Sequence, residues 1–144
     1  MKIAPIYEPV QNELLLVEEK LRTLAKVEFS QLTEILSHTI VSSGKRIRPA
    51  LTLLSGKLFN YRLDKLIPMA AAVELLHTAT LVHDDTLDNS KTRRGKPTVS
   101  SLWSGSIAVL VGDYLFANSA TLVASTGNIR VISLFARTLA TICN

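Results

Sequence analysis

Residues 65–89 constrain the fold most, because they predict one long helix that is almost uniformly apolar until Asp84. Helical periodicity recurs along nearly the whole chain, and no stretch convincingly predicts a strand. We therefore predict an all-α helical bundle, formed by residues 1–144 as a single domain. The other predicted helices cover residues 8–28, 30–42, about 49–58, 105–126 and 128–143.

Capping residues and helix breakers set the predicted bounds. Ser30 and Asp64 stand where their side chains could cap the helices that follow them. Gly44 suits a helix end, and Pro49 suits the first turn of the next helix. The stretch 42–49 is therefore predicted to separate two helices.

Composition narrows the classes of function. The net charge of +4 is modest and largely local, and aromatic residues are not interleaved with basic ones, which argues against nucleic-acid binding. The hydrophobic share of 47% implies either unusually complete burial or an apolar face left for a partner or for further chain. Cys143 is the only cysteine, which rules out an internal disulfide and fits a reducing compartment. Since the N-terminus does not resemble a targeting segment, we expect a cytoplasmic protein.

Residues 105–124 have about the length that a membrane span needs. Asp113 lies near the middle of this stretch, together with Asn118 and several hydroxyl groups. A carboxylate in the middle of a span is costly. We therefore predict a buried helix of a soluble bundle and no transmembrane segment.

Residues 81–98, LVHDDTLDNSKTRRGKPT, place three aspartates directly before four cations. Because successive helical residues turn by about 100°, Asp84 and Asp88 share a face, with Asp85 one step round. His77, two turns before Asp84, lies on the same face. Three carboxylates at a helix C-terminus repel one another and the helix dipole. The four cations that follow are Lys91, Arg93, Arg94 and Lys96.

Two interpretations of this charged cluster remain open from the spacing. In one, salt bridges to Lys91 or Arg93 relieve the repulsion, and the cluster is a solvated helix end. In the other, Mg²⁺ relieves it, since this ion commonly uses one or two carboxylates together with water and substrate phosphates. Arginine binds phosphate oxygens bidentately, so the second interpretation predicts a diphosphate held between metal and cations.

Three motifs carry a resemblance to a known family. ELLHTATLVHDDTLDNSKTRRGKPT, residues 74–98, resembles the first aspartate-rich region (DDxxD) of the trans-prenyl diphosphate synthases. GKRIRPAL, residues 44–51, resembles their upstream basic motif, and GDYLF, residues 112–116, fits at the expected place. The motifs span about half of the chain. The resemblance implies the N-terminal half of an isoprenoid-synthase-type fold.

The resemblance also implies a reaction, which is head-to-tail prenyl transfer. An allylic diphosphate ionises, the double bond of isopentenyl diphosphate attacks the carbocation, and a proton is lost. Asp84, Asp85 and Asp88 would hold Mg²⁺ ions that bridge to the allylic diphosphate. Arg93 would contact the same diphosphate.

The second substrate, isopentenyl diphosphate, would be bound through its diphosphate by residues of both motifs. Without the resemblance, His77 would be interpreted as a hydrogen-bonded core histidine. Lys45 and Arg48 would likewise be partners of helix-end carbonyls. The resemblance assigns these three residues and Arg94 to the diphosphate. It gives no role to the remaining cations of the motifs, which we expect to be solvated: Arg46, Lys91 and Lys96.

Two small residues bear on product length. Ala79 and Thr80 lie about one turn before Asp84, where bulky aromatic residues of the family block the growing chain. Because both are small, we expect a medium- or long-chain all-trans polyprenyl diphosphate. Replacing Ala79 by phenylalanine is expected to shorten the product.

The sequence departs from the family in lacking the second aspartate-rich motif, since Asp64 and Asp113 are isolated. We therefore expect the chain to be inactive, or nearly so, on its own. It would be part of a longer synthase or of a split or heteromeric enzyme, and we expect a homodimer or heteromer. The alternative is a non-catalytic or regulatory subunit of a heteromeric prenyl synthase.

Overall fold

The computed structural model describes residues 4–41 and 44–143, and most of these residues are helical. A 3₁₀ turn, Glu8–Val10, precedes the second helix, and a π-helical turn, Ser37–Val41, follows the third. The helices are α1 (Ala4–Tyr7), α2 (Gln11–Leu24), α3 (Ser30–Leu36), α4 (Ile47–Lys57), α5 (Leu63–Leu87), α6 (Val99–Leu102), α7 (Gly105–Ser125) and α8 (Ile129–Ile142).

The prediction of an all-α protein is confirmed, with one small difference. Two strands of two residues each, β1 (Thr92–Arg93) and β2 (Lys96–Pro97), form an antiparallel hairpin. Neither strand could be predicted, because a two-residue strand is too short to show the alternation that identifies one. The hairpin follows the acidic end of α5 and turns the basic cluster back towards the helices.

Helix α5 lies at the centre, packed against α2, α4 and α7. Small side chains let its neighbours approach closely, and Ala70, Ala71, Ala72 and Ala79 are fully buried. The hydroxyl of Ser119 on α7 donates a hydrogen bond of 3.0 Å to the carbonyl of Ala72. Burial of small apolar residues on several sides explains why the stretch is apolar all round rather than on one face.

Two predicted helix caps are wrong. Helix α3 begins at Ser30, and its cap position is taken by Phe29, which makes no capping hydrogen bond. Asp64 lies inside the first turn of α5, where Arg62 binds its carboxylate at 2.8 Å and 3.0 Å. A carboxylate in a first turn still interacts favourably with the helix dipole.

The predicted break between helices falls partly outside the described residues, which exclude residues 42 and 43. Gly44 precedes α4 rather than ending a described helix, and Pro49 is the third residue of α4, within its first turn as predicted. Arg46 takes the cap position, with a φ of 48°. This left-handed backbone is uncommon for a residue other than glycine.

Apolar surface remains exposed on the outer helices. No residue of α8 is buried, and Ile129, Leu134 and Ile142 are among its exposed apolar residues. Helices α5 and α7 are each long and apolar enough to cross a membrane by length and composition. Less than half of either apolar segment is buried within the protein. Asp113, in the middle of α7, is exposed. The absence of a transmembrane segment stays a prediction.

The contact between α5 and α7 predicts a destabilising substitution. A Cβ atom on Gly112 would stand 2.0 Å from Nε2 of His83, whose ring nitrogen lies 3.2 Å from the carbonyl of Val109. Gly112→Ala must therefore displace the imidazole, and we expect it to lower the free energy of unfolding by about 1–2 kcal/mol. Urea unfolding measures this change.

Gly105→Ala is the matched control, because its new methyl would meet only Thr86 Cγ2 at 3.6 Å. Helix propensity favours alanine over glycine in both variants. The double variant Gly112→Ala/His83→Ala should recover part of the loss. A Gly112→Ala protein as stable as Gly105→Ala would contradict the close approach.

Candidate functional site

A cavity of about 660 Å³ opens between α4, the second half of α5 and the hairpin. It is a cationic cavity, because the lysines and arginines that line it outnumber its two carboxylates, Glu74 and Asp85. An excess of positive charge around a concave space attracts anions. The basic residues that line it are Lys45, Arg46, Arg48, Arg93, Arg94 and Lys96.

Arg46 fixes the entrance of α4 and is not solvated, so that expectation is wrong. Only 13% of its side chain is exposed. Its guanidinium forms ion pairs with Glu18 of α2 and with Glu74 of α5, the latter at 3.0 Å, and donates at 3.0 Å to the carbonyl of Ile40. Burial alone would lower the pKa of Arg46, but the two carboxylates outweigh burial and raise it.

The other two cations of the basic motif line the cavity. Lys45 and Arg48 are exposed and line it. The Tyr7 hydroxyl donates a hydrogen bond to the backbone carbonyl of Lys45, which ties the start of the chain to this turn. The basic motif therefore combines one half-buried, structural arginine with two exposed cations, and these two are the residues predicted to bind a diphosphate.

Arg94 occupies the tip of the hairpin. The two residues between the strands, Arg94 and Gly95, have φ values of 52° and 77°. A two-residue hairpin turn of this kind needs positive φ at both positions, which suits glycine or asparagine far better than arginine. An arginine held there at a conformational cost is a candidate for function.

The hairpin is anchored by a histidine that sequence reasoning missed. His38 lies with a ring nitrogen 2.9 Å from the carbonyl of Pro97, and its ring stands edge-on to Trp103 at 5.6 Å. The hydroxyl of Thr98 also donates to the carbonyl of Ser90 at 2.7 Å. No spacing in the sequence signals His38, because its partners lie about sixty positions further along the chain.

The three aspartates fall into two environments. Asp85 is buried, and Nε of Arg93 donates to its two oxygens at 2.9 Å and 2.8 Å. Asp84 and Asp88 are exposed, and neither side chain has an ion pair or hydrogen bond within residues 4–41 and 44–143. The hydrogen bond to Asp85 raises the pKa of Arg93, and the charges of Asp84 and Asp88 add to the effect.

Each open interpretation of the acidic cluster therefore fits different carboxylates. The salt-bridge interpretation describes Asp85 with Arg93, whereas Asp84 and Asp88 remain available to a cation. Among the described residues, no three acidic, histidine or cysteine side chains converge on one metal position. Two carboxylates on one face suit Mg²⁺, which completes its shell with water and phosphate oxygens.

His77 lines the cavity and is half-buried. Its side chain makes no hydrogen bond with the described residues. The alternative interpretation of His77 as a hydrogen-bonded core histidine is therefore wrong. Burial lowers the pKa of its imidazole, and Arg48, Arg94 and Arg93 lower it further, against the opposing charge of Glu74. A pKa lowered from 6.5 favours the neutral imidazole at neutral pH.

Of the remaining predicted residues, Lys96 lines the cavity, whereas Lys91, Thr80 and Ala79 are not among its lining residues. Lys91 and Lys96 are exposed, as expected of solvated cations, although Lys96 also lines the cavity. Thr80 is half-buried, with its hydroxyl bonded to the carbonyl of His77 at 2.8 Å. Ala79 is fully buried, one turn from His83 on the side that faces α7.

Comparison with known proteins identifies the family. The polyprenyl synthetase family profile matches residues 29–144. Component 2 of heptaprenyl diphosphate synthase from Geobacillus stearothermophilus is 39% identical over 143 residues, which are 99% of this chain and 45% of that protein. Component 2 from Bacillus subtilis is 32% identical over 99% of this chain and 41% of its own length.

Solved structures agree. A decaprenyl diphosphate synthase from Rhodobacter capsulatus matches with a TM-score of 0.92 and 39% identity, over 99% of this chain and 44% of that one. A polyprenyl synthase from Caulobacter crescentus, complexed with calcium and isoprenyl diphosphate, matches with a TM-score of 0.89 and 32% identity. The match covers 94% of this chain and 42% of that one. The chain thus spans less than half the length of these relatives. It belongs to the polyprenyl synthetase family and has the fold of the corresponding part of an isoprenoid synthase.

Proposed function

We propose that this chain is the diphosphate-binding part of a Mg²⁺-dependent prenyltransferase. The enzyme would condense an allylic prenyl diphosphate with isopentenyl diphosphate to give a medium- or long-chain all-trans polyprenyl diphosphate. One observation carries the proposal: a cavity lined by cations reaches a helix end that carries two exposed carboxylates. The calcium and isoprenyl diphosphate in the Caulobacter relative support a metal and a diphosphate in such a site.

Asp84 and Asp88 would hold the metal, because they share a helix face and are exposed. Bound Mg²⁺ would supply positive charge for the departing diphosphate. Asp85 contributes by holding the Arg93 guanidinium, which then lies at the acidic end of the cavity. In this arrangement only two of the three aspartates are metal ligands, and the third positions a cation.

The second diphosphate would bind in the basic part of the cavity. Lys45, Arg48 and Arg94 come from two separate segments and line one space. Charge-assisted hydrogen bonds from several cations hold a diphosphate and position the double bond of isopentenyl diphosphate towards the allylic carbon. His77 would join them by taking up a proton as the anion arrives.

The active enzyme would need polypeptide beyond these 144 residues, because the chain covers only 45% of the Geobacillus relative. That polypeptide would be a continuation of the chain or a second subunit. Two relatives are named component 2 of heptaprenyl diphosphate synthase, which favours a heteromer and keeps a regulatory subunit as the second candidate.

The function is tested by incorporation of labelled isopentenyl diphosphate onto farnesyl diphosphate. We expect no product from the 144-residue chain alone. A chimera in which this chain replaces the matching part of the Rhodobacter decaprenyl diphosphate synthase should form product with Mg²⁺ and lose activity with EDTA. Asp84→Asn in the chimera should lower kcat at least 100-fold, since the metal loses a ligand.

Three outcomes would contradict the proposal in different ways. A folded chimera that binds farnesyl diphosphate without forming product would contradict catalysis by this site. Product formed by the 144-residue chain alone would show that no further polypeptide is needed. A chain that only changes the activity of an intact synthase would favour the regulatory subunit.

Because the pKa of His77 is lowered, we predict that the protein takes up a proton at this residue when a diphosphate binds. Since the pKa of His77 is lowered from its ordinary value of 6.5, protonation of the imidazole costs stability as the pH falls below 6.5, whereas the neutral ring costs none above that pH. A bound diphosphate favours the imidazolium and raises the pKa. Calorimetry of diphosphate binding near pH 6.5, in buffers of different ionisation enthalpy, should therefore show more proton uptake for the wild type than for His77→Gln.

The difference between the two proteins isolates the histidine, because the titration of the ligand is common to both. Charges that face His77 are those of Arg48, Arg93, Arg94 and Glu74, and all four remain in the variant. Equal proton uptake by the two proteins would mean that His77 stays neutral in the complex.

Product length is better tested at Thr80 than at Ala79. Ala79 is fully buried, so a phenylalanine there would overpack the core and confound the result. Thr80 is half-buried and one turn from Asp84, so Thr80→Phe should shorten the products of the chimera. Thr80→Val is the control of similar size, and an unchanged length distribution in Thr80→Phe would contradict a role for this position.

A further inference from the structure

Glu74 is a buried carboxylate with one oxygen unsatisfied. Its Oε1 accepts from Arg46 at 3.0 Å, whereas its Oε2 is buried and receives no hydrogen bond within residues 4–41 and 44–143. The residue is 6% exposed and lines the cationic cavity. An unpaired buried carboxylate oxygen is costly. Its presence beside a ligand cavity points to a donor that reaches this oxygen when a ligand binds.

Arg94 is placed to be that donor. A Cβ atom on Gly44 would stand 3.2 Å from Oε1 of Glu74, 3.6 Å from Nη1 of Arg94 and 3.7 Å from Nη1 of Arg46, so the Glu74 carboxylate and both guanidiniums lie close to this glycine. A side chain at position 44 would crowd this group. Arg94 also projects from a hairpin tip whose left-handed backbone suits arginine poorly.

Guanidinium chemistry allows one arginine to serve two anions. Its planar group carries five N–H donors, so one edge can bind a phosphate while another edge donates to a carboxylate. Arg46 already uses three acceptors in this way, on Glu18, Glu74 and Ile40. The same carboxylate that orients Arg46 thus has an oxygen left for a second arginine.

We propose that Oε2 of Glu74 accepts a hydrogen bond from the Arg94 guanidinium when a diphosphate fills the cavity. Glu74 is then a positioning residue, which orients Arg94 towards the phosphate oxygens without touching the ligand itself. The inference rests on the proposed function, since it takes Arg94 as a diphosphate ligand. It adds a residue and a ligand-dependent contact that the three sequence motifs did not indicate.

A double-mutant cycle on the 144-residue chain tests the contact, with inorganic diphosphate as the probe and calorimetry as the measurement. EDTA is present, so that the acidic end of the cavity does not contribute. Glu74→Gln keeps the acceptor for Arg46 and replaces Oε2 by an amide. We expect it to weaken binding about tenfold in the wild-type background and to have no further effect in the Arg94→Gln background.

Glu18→Gln is the matched control, because Glu18 is the other carboxylate partner of Arg46 and does not line the cavity. Its effect on diphosphate affinity should be equal in the two backgrounds. Gly44→Ala supplies an independent variant if Glu74→Gln proves unstable, since its methyl would crowd Oε1 of Glu74 at 3.2 Å, beside Arg94, without removing either side chain. It too should weaken binding only when Arg94 is present.

The outcomes separate this inference from the proposed function. Equal weakening by Glu74→Gln in both backgrounds, with Arg94→Gln itself weakening binding, would overturn the contact and leave the diphosphate site in place. A wild-type chain that does not bind diphosphate, or an Arg94→Gln variant that binds as well as wild type, would overturn both.

Discussion

The ion pairs of Arg46 are the interaction on which the site depends. One half-buried guanidinium joins Glu18 of α2, Glu74 of α5 and the carbonyl of Ile40 to the turn that begins α4. Removing either carboxylate would leave a charge buried with fewer partners, which is strongly unfavourable. With Arg46 held in this way, Lys45 and Arg48 are exposed and line the cavity. In the proposed function, the basic motif therefore has one structural arginine and two cations for the ligand.

The three aspartates of the acidic motif also differ in their surroundings. Asp85 turns inward and orients Arg93, whereas Asp84 and Asp88 stay at the surface of the same helix end. The cationic cavity thus reaches Asp85, and the exposed carboxylates of Asp84 and Asp88 lie on the same helix end. A metal-bound diphosphate would carry charges that match both groups. In the basic motif, Arg46 holds the turn that carries Lys45 and Arg48, and in the acidic motif, Asp85 orients Arg93.

How much the sequence could predict differs between elements. The apolar stretch that became α5 and the acidic cluster at its end were predictable, because a long unbroken apolar run and local spacing indicate them. The environment of Arg46 was not, since its partners lie 28 positions away on either side and only folding brings them together. The same holds for His38, and for the hairpin that aims Arg94, which is too short to leave a periodic signal.

A crystal of the chain with Mn²⁺ and inorganic diphosphate would show whether Asp84 and Asp88 bind the metal while Asp85 holds Arg93. Mn²⁺ accepts the same oxygen ligands as Mg²⁺ and can be located by anomalous scattering. We expect an anomalous peak beside Asp84 and Asp88, with Asp85 still bound to Arg93 and diphosphate in the cavity. A peak coordinated by Asp85 after release of Arg93, or diphosphate bound away from Lys45 and Arg48, would contradict it.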